Sequence, residues 1–265
     1  MLKVHNDRSL YFEQQYTNTK KYIVPFIDEV YKLRPGMEVL EIGCGEGGVL
    51  KAFVDAGMKG TGVDLHTFKF NLALDYLDEY VQTGRISLIN NDIYAPDLYE
   101  QFSEKFDLII LKDTLEHIFD QEKLIGYLKG FLKKTGMIFF AFPPWCMPYG
   151  GHQQMCSNKI LSSLPYYHLL PSFLYTALLK AFKEDKDLIR ELMNVKKTQI
   201  SLQRYYRILK DKGFKTVRQQ LYFINPNYEI KFNMKPRNLN RFIGSIPYVR
   251  DFITTTIYSL AKPVY

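Results

Sequence analysis

The residues of this chain best able to do chemistry lie in Glu41-Ile42-Gly43-Cys44-Gly45-Glu46-Gly47-Gly48. An apolar run reaches Glu41 and Ile42, and glycines then recur at 43, 45 and 47. Val49, Leu50, Ala52, Phe53 and Ala56 follow at helical spacing. A strand that passes through a glycine turn into a helix leaves backbone N–H groups unpaired at the helix start, which makes a nucleotide-shaped site. Gly43, Gly45 and Gly48 also satisfy the G-x-G-x-x-G dinucleotide pattern, so the glycines alone leave two ligand classes open beside a plain tight turn. Glu41 separates the two. An anion at the carboxyl end of a strand repels a pyrophosphate brought onto the helix start and suits a ligand with an ammonium group. Asp64 closes the next strand and can accept from ribose hydroxyls, with a turn or N-cap role as its structural alternative. Asn91 and Asp92 can hydrogen-bond an adenine amino group while Ile93 packs the ring.

Alternating strands and helices must position these groups. An N-terminal helix carries Tyr22, Ile23, Phe26, Ile27 and Val30, ends at Pro35-Gly36, and has Tyr11, Phe12 and Tyr16 upstream to fold over the domain. Strands are predicted over 38–42, 60–64, 86–89, 106–111 and 136–142. Their nearly continuous apolar content indicates a parallel sheet covered on both faces. After Phe142 the rhythm changes. Short helices are predicted over 160–164 and 173–181 and one long helix over 188–210. Strands return at 214–224 and 254–261, with an Arg-rich excursion between them. No internal repeat or low-complexity tail breaks the chain, so the insertions read as a cap on one domain.

With four motifs in order, the chain resembles the class I S-adenosylmethionine (SAM)-dependent methyltransferases, in particular their small-molecule, ubiquinone-biosynthesis-like branch. The glycine stretch matches the family's signature, Asp64 its ribose-binding acid and Asn91-Asp92 its adenine-side pair. Phe106 to Ile118, ending Leu115-Glu116-His117-Ile118, is similar to its strand-4 signature. The resemblance implies an α/β, Rossmann-like seven-stranded fold of order 3-2-1-4-5-7-6, here with a mostly helical cap after strand 5. The expected parts are an N-terminal lid (1–34), a SAM-binding core (35–145), a helical cap (146–212) and last strands with a basic insertion (213–265). It also implies SAM as cofactor and S-adenosylhomocysteine (SAH) as product. The cofactor contacts expected from it are Glu41, Gly43, Cys44, Gly45, Gly47, Asp64, Leu65, Asn91, Asp92, Ile93, Lys112, Asp113, His117 and Tyr16. It leaves the methyl acceptor open, because function belongs to the site and not to the fold.

The acceptor side is expected on Phe142 to Gln154, where three prolines and two glycines hold an indole, a phenol and an imidazole on a rigid loop. Its Pro143-Pro144-Trp145 triplet resembles the motif of amino methyltransferases that act on bases, but stands after strand 5 instead of strand 4. That position argues against methylation of DNA or protein amides. Methyl transfer needs an aligned, desolvated acceptor, relieved of its proton when it is a hydroxyl. His152 is the natural base, because histidine titrates nearest neutrality, with a loop-stabilising hydrogen bond as its alternative. Tyr149 shares the catalytic assignment and, with Trp145, could clamp the acceptor. Arg204 and Arg207 are expected to meet an acidic group. The reading is O-methylation of a partly apolar or acidic small molecule. C-methylation of a quinone-like ring and a non-catalytic SAM-binding or partner protein are the alternatives. No metal is expected: the five histidines show no H-x-x-x-H or H-E-x-x-H spacing.

Charge is distributed unevenly. Residues 1–145 carry 16 Lys/Arg against 21 Asp/Glu, whereas residues 146–265 carry 19 against 7. Such a basic half can meet nucleic acid, an anionic membrane surface or an acidic substrate, or simply solvate a cap. The absence of a recognition module or dense basic run speaks against structured nucleic acid. Three cysteines without C-x-x-C argue for a reducing compartment, and no run reaches transmembrane length, so the expected location is the cytoplasm.

Overall fold

The computed structural model of the chain describes residues 7–264. The first six residues of the expected lid, His5 among them, lie outside the described residues. Helix α1 (Arg8–Asn18) starts at Asp7, whose carboxylate caps the Leu10 N–H, and runs through a π-turn (Thr19–Ile23) into α2 (Val24–Asp28). Strands β1 (Glu38–Ile42), β2 (Lys59–Val63), β3 (Ile86–Ile89), β4 (Phe106–Lys112) and β5 (Leu132–Phe142) are parallel, with α3 (Gly48–Asp55) and α4 (Thr67–Tyr76) following the first two. Between β5 and the next strand lie α5 (Lys159–Ser163), α6 (Ser172–Ala181), α7 (Lys186–Thr198) and α8 (Leu202–Asp211). The chain closes with β6 (Phe214–Ile224), α9 (Asn227–Phe232), β7 (Arg237–Asn238), α10 (Arg241–Gly244), α11 (Val249–Ile253) and β8 (Thr256–Pro263).

The strands form one sheet in the order β3-β2-β1-β4-β5-β8-β6-β7, and β8 runs antiparallel to both β5 and β6. The expected seven strands become eight, because the two-residue β7 pairs with the outer edge of β6. Leaving β7 aside, the remaining strands taken in chain order lie as 3-2-1-4-5-7-6.

The period-2 alternation of the central strands feeds two cores. Ile109, Leu111, Phe140 and Phe142 enter the core on one face, and Leu108, Ile110, Phe139 and Ala141 enter the core on the other. A third, smaller core, built on Tyr167, Tyr175, Leu179 and Leu192, belongs to the helical insertion.

The long helix expected over 188–210 is two helices. Gln199 takes a left-handed C-cap conformation (φ +44°), and the Ser201 hydroxyl accepts from the Arg204 N–H to start α8. The break frees the Ile200 carbonyl to accept from the Trp145 N–H at 2.8 Å. Among the described residues no helix is long and apolar enough to cross a membrane.

Candidate functional site

Strand order reverses between β1 and β4, and ligands of open α/β sheets bind beyond the carboxyl ends of the strands at such a point. Two joined cavities lie there. The smaller, about 80 Å³, is lined by Glu41, the turn from Gly43 to Gly48, Lys112 and residues of α1. The larger, about 820 Å³, is lined by Asp64, Leu65, Phe68, Asn91, Asp92, Ile93 and His117 among others. Gly43, Lys69 and Asp113 border both.

Two glycines of the turn are there for want of a Cβ. At Gly43 (φ +71°) a Cβ would lie 2.9 Å from the Thr114 side chain, and at Gly48 it would lie 2.4 Å from the Phe12 carbonyl oxygen. The second approach lets α1 close over the turn. Tyr11, Phe12 and Gln15 thereby reach the smaller cavity. Tyr16, expected among the cofactor contacts, does not. One residue on from Gln15 it is turned about 100° around the helix. There Lys51 Nζ lies 4.1 Å from its ring centroid and Lys20 donates to its hydroxyl.

Glu41 is buried to 2 % exposure, and its Oε2 has no hydrogen-bond partner. Burial raises its pKa well above the carboxylate range, with the Lys112 ammonium opposing. Asp64 ties the turn to its own loop: Oδ2 accepts from the Gly45 N–H and Oδ1 from the His66 N–H, both at 2.7 Å. Asn90 adds a cross-link by donating to the Asp64 carbonyl at 2.7 Å while its Oδ1 accepts from Thr67. Asn91 and Asp92 spend one oxygen each on local backbone N–H groups, and Ile93 is buried beside them. Asp64→Ala is therefore expected to cost the unliganded protein about 1–3 kcal/mol, since two charge-assisted bonds to the loop are lost. A lowered urea midpoint at unchanged slope would show this; an unmoved midpoint would mean that Asp64 does not hold the loop.

At the junction of the cavities Asp113 takes a left-handed conformation (φ +52°). Burial opposes its charge, but Lys112, Lys231 and His152 outweigh burial and hold its pKa below the usual range. Glu116 is buried with an unpartnered Oε2, and burial and Asp113 push its pKa well up. His117 stands at the cleft mouth, where desolvation and Lys69 lower its pKa. His152 faces it edge-on, with ring centroids 5.0 Å apart. Glu116, His117 and His152 each bring one donor atom within 4.8 Å of the others, a grouping able to hold a metal ion that no spacing in the sequence anticipates. Lys231, from α9, joins the same neighbourhood, acting on Asp113 and Lys112 and lying 5.8 Å from the Tyr11 ring centroid.

The other acceptor-side expectations are corrected. Trp145 is buried, packed edge-on against His168 with centroids 4.6 Å apart, and its carbonyl accepts from His168 Nε2 at 2.8 Å. These contacts spend it on anchoring the loop. The Tyr149 hydroxyl donates to the Ser163 carbonyl at 3.0 Å, fastening the loop to α5. Arg204 donates to the Thr198 carbonyl at 2.7 Å, closing the end of α7. Arg207 is exposed on α8, 4.0 Å from Glu122. Neither arginine reaches the cavities. Gln153, His168 and Lys196 hold the loop from beneath, with Gln153 donating to the Pro148 carbonyl and Lys196 to the His168 and Leu170 carbonyls. Sequence reasoning missed Gln15, Phe68, Lys69 and Asn90 as neighbours of the site. The signal for Phe68 and Lys69 was their place in the helical turn just after Asp64.

Residues 14–185, more than half of the chain, match the family model described as a methyltransferase domain. The chain belongs to that family. It falls in the small-molecule branch of the class I SAM-dependent methyltransferases. A ubiquinone biosynthesis O-methyltransferase of Actinobacillus pleuropneumoniae serotype 7 (strain AP76) is 32 % identical over 112 residues, 40 % of this chain and 45 % of that protein. One from Pseudomonas syringae pv. tomato is 33 % identical over 118 residues, 44 % and 49 % of the two chains. The match thus spans about half the length of these relatives.

Among solved structures, magnesium protoporphyrin IX methyltransferase of Synechocystis PCC 6803 with bound SAH superposes with TM-score 0.53 at 17 % identity, covering 96 % of this chain and 85 % of that one. Phosphoethanolamine N-methyltransferase 2 of Haemonchus contortus superposes with TM-score 0.55 at 16 % identity, covering 91 % and 52 %. At such identities these structures speak to the fold alone.

The residues present fit the family's cofactor. SAM carries an ammonium at one end and a nucleoside at the other. The smaller cavity offers a buried carboxylate oxygen without a partner, and the larger offers Asp64 with an apolar floor.

Proposed function

We propose that this chain transfers a methyl group from SAM to a hydroxyl oxygen of a partly apolar small molecule. The observation that carries the reading is the unpartnered, buried oxygen of Glu41 at one end of a cleft whose other end is walled by Asp64 and Ile93. SAM, when bound, supplies an activated methyl on its sulfonium. Glu41 would accept from its ammonium and Asp64 from the ribose hydroxyls. Asn91 and Asp92 would meet the adenine edge while Leu65, Phe68 and Ile93 pack its faces. Lys112 and Asp113 would fix the middle of the cleft. His152 would take the proton of the acceptor hydroxyl, held for that task by a loop whose Trp145 and Tyr149 are spent on anchoring it.

An acidic group on the acceptor would meet Lys231 and not the cap arginines. The segments before β1 and after β5 would act as lid and cap over the SAM-binding core. The three unpaired thiols, Cys44, Cys146 and Cys156, suit a reducing cytoplasm.

The test is transfer of labelled methyl from SAM to a panel of phenols and hydroxy acids, run with and without EDTA. Label in an O-methyl product, at a rate the chelator leaves unchanged, is the expected result. Label on ring carbon would move the assignment to C-methylation. Loss of rate with EDTA, restored by Mg²⁺, would turn Glu116, His117 and His152 into metal ligands and remove His152 as the base.

A further inference from the structure

Two stretches of the chain expose large apolar side chains that the cleft does not use. Residues 160–179 contain no Asp, Glu, Lys or Arg, a run of twenty residues bounded by Lys159 and Lys180. Its interior side packs on the cap core through Tyr175 and Leu179, but Ile160 is 64 % and Phe173 72 % exposed, with Leu170 and Leu174 beside them. Residues 242–249 form a second uncharged run, bounded by Arg241 and Arg250, in which Phe242 is 76 % and Tyr248 70 % exposed. The runs are far apart in sequence, and the fold sets the first against α11, the helix on which the second ends: the Tyr166 hydroxyl donates to the Phe252 carbonyl at 3.1 Å, and the two rings lie 6.4 Å apart.

The residues that bound the two runs are cationic, and the exposed carboxylates next in sequence to the first run, Asp185 and Asp187, lie beyond Lys183. Lys159, Lys180, Lys183 and Arg241 are exposed at its ends. The carboxylates that follow most closely in sequence are turned inward. Glu184 accepts from the Ser157 and Asn158 N–H groups, and Asp251 is buried and accepts from the Leu202 N–H. A soluble surface seldom leaves so many large apolar side chains together. Two occupants suit an apolar face: a second copy of the chain and a lipid surface. A two-fold pairing would set the same cationic ends against each other. A bilayer with anionic headgroups accepts the apolar side chains and neutralises the cations, whose long stems can reach back to the headgroup level.

We propose that the paired apolar runs around Phe173 and Phe242 dock this protein on the surface of an anionic lipid bilayer. The segments lie shallowly, since neither α6 nor α10 is long enough to span. Docking is independent of the transfer reaction and would hold for a chain that bound no cofactor.

Sedimentation with vesicles of phosphatidylcholine alone, or mixed with phosphatidylglycerol, tests it on the full chain. Wild type is expected to co-sediment with the mixed vesicles, weakly with the neutral ones, and less as salt rises. The pair Phe173→Glu and Phe242→Glu should weaken binding about tenfold or more, with an unchanged urea midpoint as the control for folding. A second pair, Lys180→Glu and Arg241→Glu, keeps the apolar face and should abolish the preference for phosphatidylglycerol. No binding by wild type, or equal binding by wild type and both pairs, would overturn the proposal. So would a dimer in sedimentation velocity that the Phe pair converts to monomer without any vesicle binding, since the face would then join two copies.

Discussion

Replacing His152 by Ala or Gln is expected to lower the single-turnover rate of methyl transfer by about 10²–10⁴-fold, the size usual for loss of a general base. Affinity for SAM should stay nearly unchanged, because Glu41, the glycine turn and Asp64 are untouched. His152 sits in a left-handed loop position (φ +58°), with its ring against His117 and its charge felt by Asp113. The rate of the unmodified protein should fall on acidification, as a neutral imidazole is needed to take the proton. His117 is the competing source of that fall. Its pKa is held below the ordinary value by desolvation and Lys69, so a limb due to His117 would lie at more acidic pH than an ordinary histidine gives. His117→Gln, by the same reasoning, should leave the acid limb where it was. Equal rates and equal pH profiles for wild type and H152A would reduce His152 to a loop-stabilising residue.

Glu41→Gln should move binding and stability in opposite directions. The buried carboxylate favours its protonated form in the folded protein, so the raised pKa withdraws stability as pH climbs from the ordinary glutamate range through the folded-state value. The neutral amide removes that cost, and the unliganded variant is expected to gain about 1 kcal/mol at neutral pH. The gain should vanish in acid, below the ordinary glutamate range, where Glu41 is protonated in both folded and unfolded states. SAM affinity should fall by about 2–3 kcal/mol, roughly 30- to 150-fold, because the ammonium loses a charged acceptor. Denaturation across pH and calorimetric titration of the same variant measure both. A variant that binds SAM as tightly as wild type would show that Glu41 only shapes the turn.

How far the sequence carried these assignments depends on the range of the interaction involved. The α/β architecture was legible because the strands are buried on both faces and read as apolar runs, and because a glycine turn between strand and helix is a local signal. Even the extra strand is a small miss, since two residues at a sheet edge leave no period to detect. The acceptor side was not legible, for tertiary reasons. A tryptophan on a Pro-rich loop looks like a clamp until His168, from the short turn at 167–169, packs against it. Arg204 and Arg207 differ in what they meet because a break at Gln199 leaves the Thr198 carbonyl for Arg204 and turns Arg207 outward. Tyr16 and Gln15 differ by one helical step, and only the docking of α1 on Gly48 decides which of them reaches the cavity. Likewise, Glu116 and His117 gain His152 as a neighbour through the fold and not through spacing.

The central claim is that this cleft takes a ligand with an ammonium at one end and a nucleoside at the other. Calorimetric titration of the purified chain with SAH and, separately, with NAD⁺ tests it most directly. Saturable SAH binding in the micromolar range, with no heat from NAD⁺, is the expected result, because the unpartnered Glu41 carboxyl ionises readily beside an ammonium but not beside a pyrophosphate. Binding of NAD⁺ with silence toward SAH would contradict it.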